Sequence, residues 1–487
     1  MEPEQLRKWG KLMIDYVADY WTTLPSRKPC PDVNPGYIRQ LVPADAPEKG
    51  DSWENIFADL ENVIMKGVTH WHHPRFFSYF PTGNSYPSVI GDILSDGIGA
   101  LGFTWVRDNC HRSLLVLFVK ASSPAYTELE MVMMDWLAKM ISLPEVFLFA
   151  HNGPGGGVIQ GSASEGVHLS MMAARKLALR NLAEEQNSSK LVAYGSEQAH
   201  SSVERAAMLN LVKFHPVKSD ELCRMTARAL EEAIQKDKEA GLIPFFVCAT
   251  LGTTASCAVD CLSEIGPFCK SSGIWLHVDA AYGGSAAICP EYQWIMQGIE
   301  HADTVTHNPH KALMVNFDYS AFWMKNCNDI EQAFSVNPEY LAHKKQGLVP
   351  DFMNYQVSLG RRFRALKLWF TVRVYGVEGL RKNFRKFCSV AHYFEGLVRK
   401  DPRFEIVQPV IFGVVCFRMK GSNEMNERLS SVLMATGDMH FVTVTLHGKF
   451  SIRISIDSSL TETTDMDFIW AKIRQGADAV MHAANRT

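Results

Sequence analysis

The sequence predicts an α/β protein with a helical amino-terminal segment and a small α+β unit at its carboxyl end. From about residue 125, short apolar runs alternate with helical patterns, as expected of parallel β-α units that cover a sheet on both faces. Before residue 100 the pattern is helical and is broken by prolines. After about residue 380, helix alternates with amphipathic strand. The expected divisions are therefore 1–100, 101–380 and 381–487, and 487 residues at roughly 150 per domain suffice for three such units.

In the first division Leu6, Trp9, Met13, Tyr16, Val17 and Tyr20 recur at helical spacing and form one apolar stripe. Pro25, Pro29, Pro31 and Pro35 then break the chain. Such a stripe on a short helical unit needs a docking place, in a neighbouring domain or a second subunit. In the middle division helices are expected at 127–141, 164–180 and 223–240, and strands at 191–194, 245–249, 274–278 and 321–324. The last division reads as a helix at 383–399, strands at 404–407, 414–418 and 450–456, and a closing helix near 466–481. Sheets of the middle type bind ligands beyond the carboxyl ends of their strands.

Composition excludes several function classes. Forty-nine Lys+Arg against 52 Asp+Glu give a net charge of −3, with no run of basic residues to bind nucleic acid or a membrane surface. The eleven cysteines are odd in number and contain no Cys-x-x-Cys pair, which argues against a disulfide framework and a zinc site and fits a reducing compartment. The start MEPEQLRKWG is too acidic for a signal peptide, and no apolar run approaches the roughly 20 residues needed to cross a bilayer. A cytoplasmic protein is expected, without a nucleic-acid or membrane partner.

The stretch THNPHK (306–311) places Lys311 in a short crowded loop between apolar runs. A desolvated lysine has a lowered pKa, and its neutral amine can form a Schiff base with an aldehyde. In WLHVDAAYG (275–283), Asp279 ends an apolar strand and is followed by Ala280 and Ala281. A carboxylate there can keep a pyridinium nitrogen protonated, and the alanines let a flat ring lie against the backbone. Alone it would also suit a metal or a helix cap, but no second carboxylate or histidine stands at ligand spacing, so no metal is expected. GPGGG (153–157) and GSAS (161–164) lead into a helix and suit an anion held by backbone amides. His200 follows a strand and could stack on a planar cofactor and handle a proton, and Tyr340 lies in a polar, lid-like segment at 335–347.

In this order and spacing the segments resemble the group II pyridoxal-phosphate-dependent amino-acid decarboxylases. The resemblance runs nearly end to end, through THWHHP (69–74), QGSASE (160–165), QAHSSVER (198–205), HVDAAY (277–282), NPHK (308–311) and LGRRFR (359–364). It implies the type I fold of pyridoxal-phosphate enzymes, like that of aspartate aminotransferase, and decarboxylation of aromatic L-amino acids such as dopa and 5-hydroxytryptophan, the precursors of catecholamines and serotonin. By the same resemblance Lys311 would carry the cofactor, Asp279 would pair with its ring nitrogen, and His200 would stack over the ring. Ala163, Ser164 and Asn308 would hold the phosphate, and Thr254 and Ala281 would sit against the ring. His310 would lie near the substrate carboxylate, and Tyr340 would return a proton to the substrate carbon. Trp71, Tyr79, Phe80, Pro81, Thr82, Leu101 and Phe103 would line the aromatic pocket, part of it from the second subunit of an interlocked homodimer. Gly360 stands where histidine decarboxylases tend to carry serine, which leaves room for a larger ring.

The chain departs from the family pattern in three places. Residues 106–120 stand as an insertion three positions after Phe103, Ala312 replaces the tryptophan that usually follows the lysine, and the chain is shorter near 181–190 and 343–347. These departures leave an aromatic aldehyde synthase or a catalytically impaired paralogue as alternatives. Against the synthase, His200 stands where insect aldehyde synthases usually carry asparagine.

Overall fold

The computed structural model describes residues 2–103, 123–151, 153–182, 185–334 and 350–484. The insertion at 106–120 and Tyr340 lie outside these residues. The chain divides into two compact units, one built from residues up to Pro81, Val390–Val407 and the chain from Val415 on, the other from Thr82–Ser389 and Gln408–Val414.

The second unit is organised on seven strands, β1 (Gly156–Gln160), β2 (Leu191–Ser196), β3 (Lys213–Val217), β4 (Ile243–Thr250), β5 (Trp275–Asp279), β6 (Thr304–His307) and β7 (Ser320–Met324), in the order β1-β7-β6-β5-β4-β2-β3. The pairs β2–β3, β2–β4, β4–β5 and β5–β6 are parallel, while β7 runs antiparallel to both β1 and β6. The carboxyl ends of β1, β2, β4, β5 and β6 therefore share one edge. The central strands are buried along their whole length, as expected where helices cover both faces. Beneath them the core packs Val158, Val167, Met171, Phe246 and Phe322. The helices Pro124–Met140, Ala163–Leu182 and Ala227–Glu239 match the 3.6-residue pattern of the sequence.

The first unit carries a four-stranded sheet, β8 (Phe404–Ile406), β9 (Val414–Met419), β10 (Val442–Leu446) and β11 (Lys449–Ser455), ordered β10-β11-β9-β8. The helix Pro3–Thr23 belongs to this unit and buries none of its residues. Its Trp9 stacks on Trp53 with centroids 5.7 Å apart, and Tyr16 donates to Glu61 at 2.7 Å. No described helix is long and apolar enough to cross a membrane.

Candidate active site

β5 delivers Asp279 at its last position, in register with Thr250 of β4 and Thr306 of β6. The Leu251 amide donates to the Asp279 carbonyl at 2.9 Å, and the Ala280 amide to the Thr306 carbonyl at 2.8 Å. One carboxylate oxygen of Asp279 accepts from the Ala281 amide at 3.0 Å, which fixes the direction of a side chain that is 4% exposed. Ala281 is buried beside it. Thr254 sits in the turn after β4, which Asp260 closes by accepting the amides of Thr250 and Met225, both at 2.7 Å. Burial pushes the Asp260 carboxyl up to about 7.

After β6 the Asn308 amide donates to the Ala281 carbonyl at 3.2 Å, and the chain enters the four-residue helix Pro309–Ala312, which carries His310 and Lys311. The Tyr319 amide donates to His310 Nδ1 at 3.0 Å, and the His310 carbonyl accepts from Gly83. Burial, then the Lys311 charge, pull the His310 pKa down to about 3. Its ring is therefore neutral near pH 7, with the proton on Nε2. Ala312 is buried, so the loss of the family's tryptophan falls inside the protein and not on its surface.

The other histidine is set in the same way. The Ser202 amide donates to His200 Nδ1 at 3.2 Å and the Ser202 hydroxyl lies 2.9 Å away, so neutral His200 presents Nε2–H. Surrounding protein lowers its pKa first; Asp279 opposes that shift, while Lys311 and Arg205 reinforce it. These charges bear on one another because β2, β5 and β6 deliver them to one edge.

At the far end of that edge Gln160 ends β1, and Ser162 accepts the Glu165 amide on its hydroxyl at 3.3 Å. Ala163 and Ser164 open the helix Ala163–Leu182, in the turn whose amides have no acceptor within the helix. The preceding glycines do something other than expected. Gly156 and Gly157 lie inside β1, and a Cβ on Gly157 would stand 2.5 Å from Met134 Cε and 2.7 Å from Trp323 Cδ1. Gly153 and Gly155 precede that strand; a Cβ on Gly155 or Gly156 would also collide, with Val146 and Phe149, so those glycines serve close packing and the anion site is left to the 161–164 turn.

The arrangement fits pyridoxal phosphate. Asn308 is 4% exposed, and its side-chain oxygen has no partner within the protein. Oxygen and nitrogen of that amide exchange places on a flip, so the group can donate to a phosphate beside the open helix amides. Asp279 ends β5 with two small alanines after it, and Lys311 follows the neighbouring β6, so both stand on the strand-end edge suited to a flat ring.

The expected substrate residues fall in both units. Leu101, Phe103 and Gly360 come together in the second: a Cβ on Gly360 would meet Leu101 Cδ2 at 3.7 Å, and the Met353 amide donates to the Phe103 carbonyl at 3.1 Å. Thr82 opens this unit. Trp71, Tyr79, Phe80 and Pro81 belong to the first, where Trp71 stacks on Tyr79 at 5.4 Å and Arg453 donates to the Tyr79 carbonyl at 2.7 Å. Sequence reasoning missed the support behind this edge. Arg361 is 3% exposed and donates to Glu130, to the Ile159 carbonyl at 3.0 Å and to Gln356 at 2.9 Å. A glutamate on the apolar face of the 127–141 helical pattern was the available signal.

Residues 35–420 match the model of the pyridoxal-dependent decarboxylase conserved domain. Aromatic-L-amino-acid decarboxylase of Rattus norvegicus is 48% identical over 99% of each chain. Among solved structures, tryptophan decarboxylase of Catharanthus roseus in complex with L-tryptophan is 37% identical over 99% of both chains, with a TM-score of 0.90. The 4-hydroxyphenylacetaldehyde synthase of Rhodiola rosea is 36% identical over 98% and 99%, with a TM-score of 0.89. With this match, and with a lysine, a strand-end aspartate and an anion-binding helix start on one sheet edge, the chain belongs to the pyridoxal-dependent decarboxylases.

Proposed function

We propose that the chain decarboxylates aromatic L-amino acids to the corresponding amines, with Lys311, Asp279 and His200 as its central groups. The observation that carries this is the strand-end cluster itself, in which Asp279 and Lys311 both bear on His200. When bound, pyridoxal phosphate supplies an aldehyde for amine capture and a protonated ring that takes up the electrons freed as carbon dioxide leaves.

The side chains supply orientation and proton control. The Lys311 amine would hold the cofactor through its aldehyde. The Asp279 carboxylate, held by the Ala281 amide, would keep the ring nitrogen protonated. Neutral His200 would offer Nε2–H to the cofactor, and neutral His310 would offer Nε2–H to the substrate carboxylate without adding a charge that would hold it. Ala163, Ser164 and Asn308 take the phosphate, while Thr254 and Ala281 bound the ring. Tyr340 is assigned the return of a proton to the substrate carbon from its place in the sequence. Trp71, Tyr79, Phe80, Pro81, Thr82, Leu101, Phe103 and Gly360 are assigned to the aromatic side chain.

The working unit is a homodimer in the cytoplasm. Its support is apolar surface: the unburied helix Pro3–Thr23 exposes Leu6, Leu12 and Ile14, and the helix Tyr86–Ile98 exposes Tyr86, Ile90, Ile93, Leu94 and Ile98.

The test is to incubate purified protein with pyridoxal phosphate and dopa while recording the absorption spectrum, carbon dioxide, amine and peroxide. The expected result is a cofactor band lost in Lys311→Ala, with amine and carbon dioxide in equal amounts. Peroxide with aldehyde would instead make the chain a synthase, and a band without turnover would make it an impaired paralogue.

A further inference from the structure

Lys367 has no exposed surface, yet it lies outside the cluster described above. It stands near the start of the helical segment Ala365–Lys400, which kinks at Gly376 (φ 64°), against the helix Tyr86–Ile98. The approach is close enough that a Cβ on Gly91 would stand 2.7 Å from Lys367 Cα. Its ammonium donates to Asp92 at 3.0 Å and to the Asn316 carbonyl at 3.4 Å. Asn316 in turn donates its side-chain amide to the same Asp92 oxygen at 2.6 Å, and its backbone amide to the Ser88 hydroxyl at 2.9 Å.

These bonds all hold one short segment, the return from Lys311 to β7. The Ser85 hydroxyl donates to the Met314 carbonyl at 2.7 Å, and Arg364 clasps Asp318 at 3.1 and 2.8 Å. The next amide along, Tyr319, fixes the His310 ring, and Phe317 packs edge-on to that ring at 4.9 Å. Met314 has a φ of 58°, a left-handed conformation that a non-glycine residue keeps only where its surroundings hold it. A buried lysine is costly unless paired, and here both its partners lie on or against this segment.

We propose that Lys367 is a positioning residue: its buried ammonium, paired with Asp92, fastens the backbone at Asn316 and so holds His310 and Lys311 in place for the cofactor. This rests on Lys311 being the cofactor-holding amine. The pair's hydrogen bonds run to the segment that follows Lys311, and it acts through that segment.

Apoenzyme is titrated with pyridoxal 5′-phosphate, followed by absorption, and amide hydrogen exchange is measured over 313–320. Lys367→Met leaves Asp92 buried without its cation and can fail to fold, so Asp92→Asn/Lys367→Met is compared with it, since it removes both charges and leaves Asn316 an oxygen acceptor. The double variant is expected to melt near the wild-type temperature. It should bind the cofactor about tenfold more weakly, the loss expected from a charged hydrogen bond. Exchange over 313–320 should be faster than in wild type, with the rest of the sheet unit unchanged. Cofactor affinity within twofold of wild type in the folded double variant, or unchanged exchange over 313–320, would overturn the proposal. If neither variant folds, Lys367→Gln decides it by the same two readouts, because it removes the buried charge while Asn316 still partners Asp92. Lys311→Ala is run beside them: persistence of its cofactor band would overturn the underlying assignment of Lys311, whatever the Lys367 variants do.

Discussion

Two histidines at the site are held neutral chiefly by the protein around them but differ in exposure, and that difference is testable. His310 is buried, and its pKa of about 3 keeps it out of any titration near neutrality. His200 is exposed in the site, and its pKa is lowered mainly by surrounding protein. Protonation of His200 destroys the acceptor at Nδ1 that the Ser202 amide uses. The kcat/KM profile should therefore fall on the acid side below pH ~6.5, the ordinary histidine value from which His200 is depressed. In His200→Asn that limb should vanish, and kcat should drop by about 100-fold or more, the usual worth of a proton-transfer group. An acid limb that survives the substitution would remove His200 from proton handling.

Single elements carry the next consequences. β1 is thin because it must be: Gly157 lies against Met134 of one helix and Trp323 of the neighbouring strand. Gly157→Ala should cost about 1–3 kcal/mol, as overpacking in a tight core does, measured as a lowered urea midpoint. An unchanged midpoint would mean that Met134 moves aside freely. The helix Tyr86–Ile98 raises the opposite question, since its exposed row of Ile90, Ile93 and Ile98 needs cover. A charge there should break the homodimer proposed above, so Ile93→Asp should sediment as a monomer and lose activity. A dimer of normal activity would place the subunit interface elsewhere.

The stability of the whole molecule against pH follows from its buried titratable groups. Burial lowers His72, His73 and His277 to about 4, and His307 and His310 to about 3. A base whose pKa is depressed on folding lends stability above its unfolded value of ~6.5, and that stability is lost as the pH falls toward the folded value. Asp260 and Asp303 act in the other direction. Burial raises them to about 7 and about 6, so their contribution is complete below pH ~4 and fades as the pH rises through those values. Five imidazoles against two carboxyls leave acid the losing side. The melting temperature of the apoenzyme should fall steadily from pH 6.5 to pH 4.5, each depressed imidazole contributing up to about 1.4 kcal/mol per pH unit. A flat curve over that range would show that water reaches these rings.

Much of the sheet was legible in the chain because β2, β4, β5 and β7 are buried on both faces and read as continuous apolar runs. The strands that escaped were those without such a run. β3 is an edge strand with mixed burial, β6 has four residues of which three are polar, and β1 begins with two glycines that read as a loop. Lysine, strand-end aspartate and helix-opening serine were also legible, because each depends on its immediate neighbours and on which end of a strand it occupies. The supporting charges were not. Lys367 lies 275 positions from Asp92, and Arg361 lies 231 from Glu130. No local pattern links them, because a buried charge is satisfied by whatever group the fold brings within hydrogen-bond reach, and that group can come from any distance along the chain.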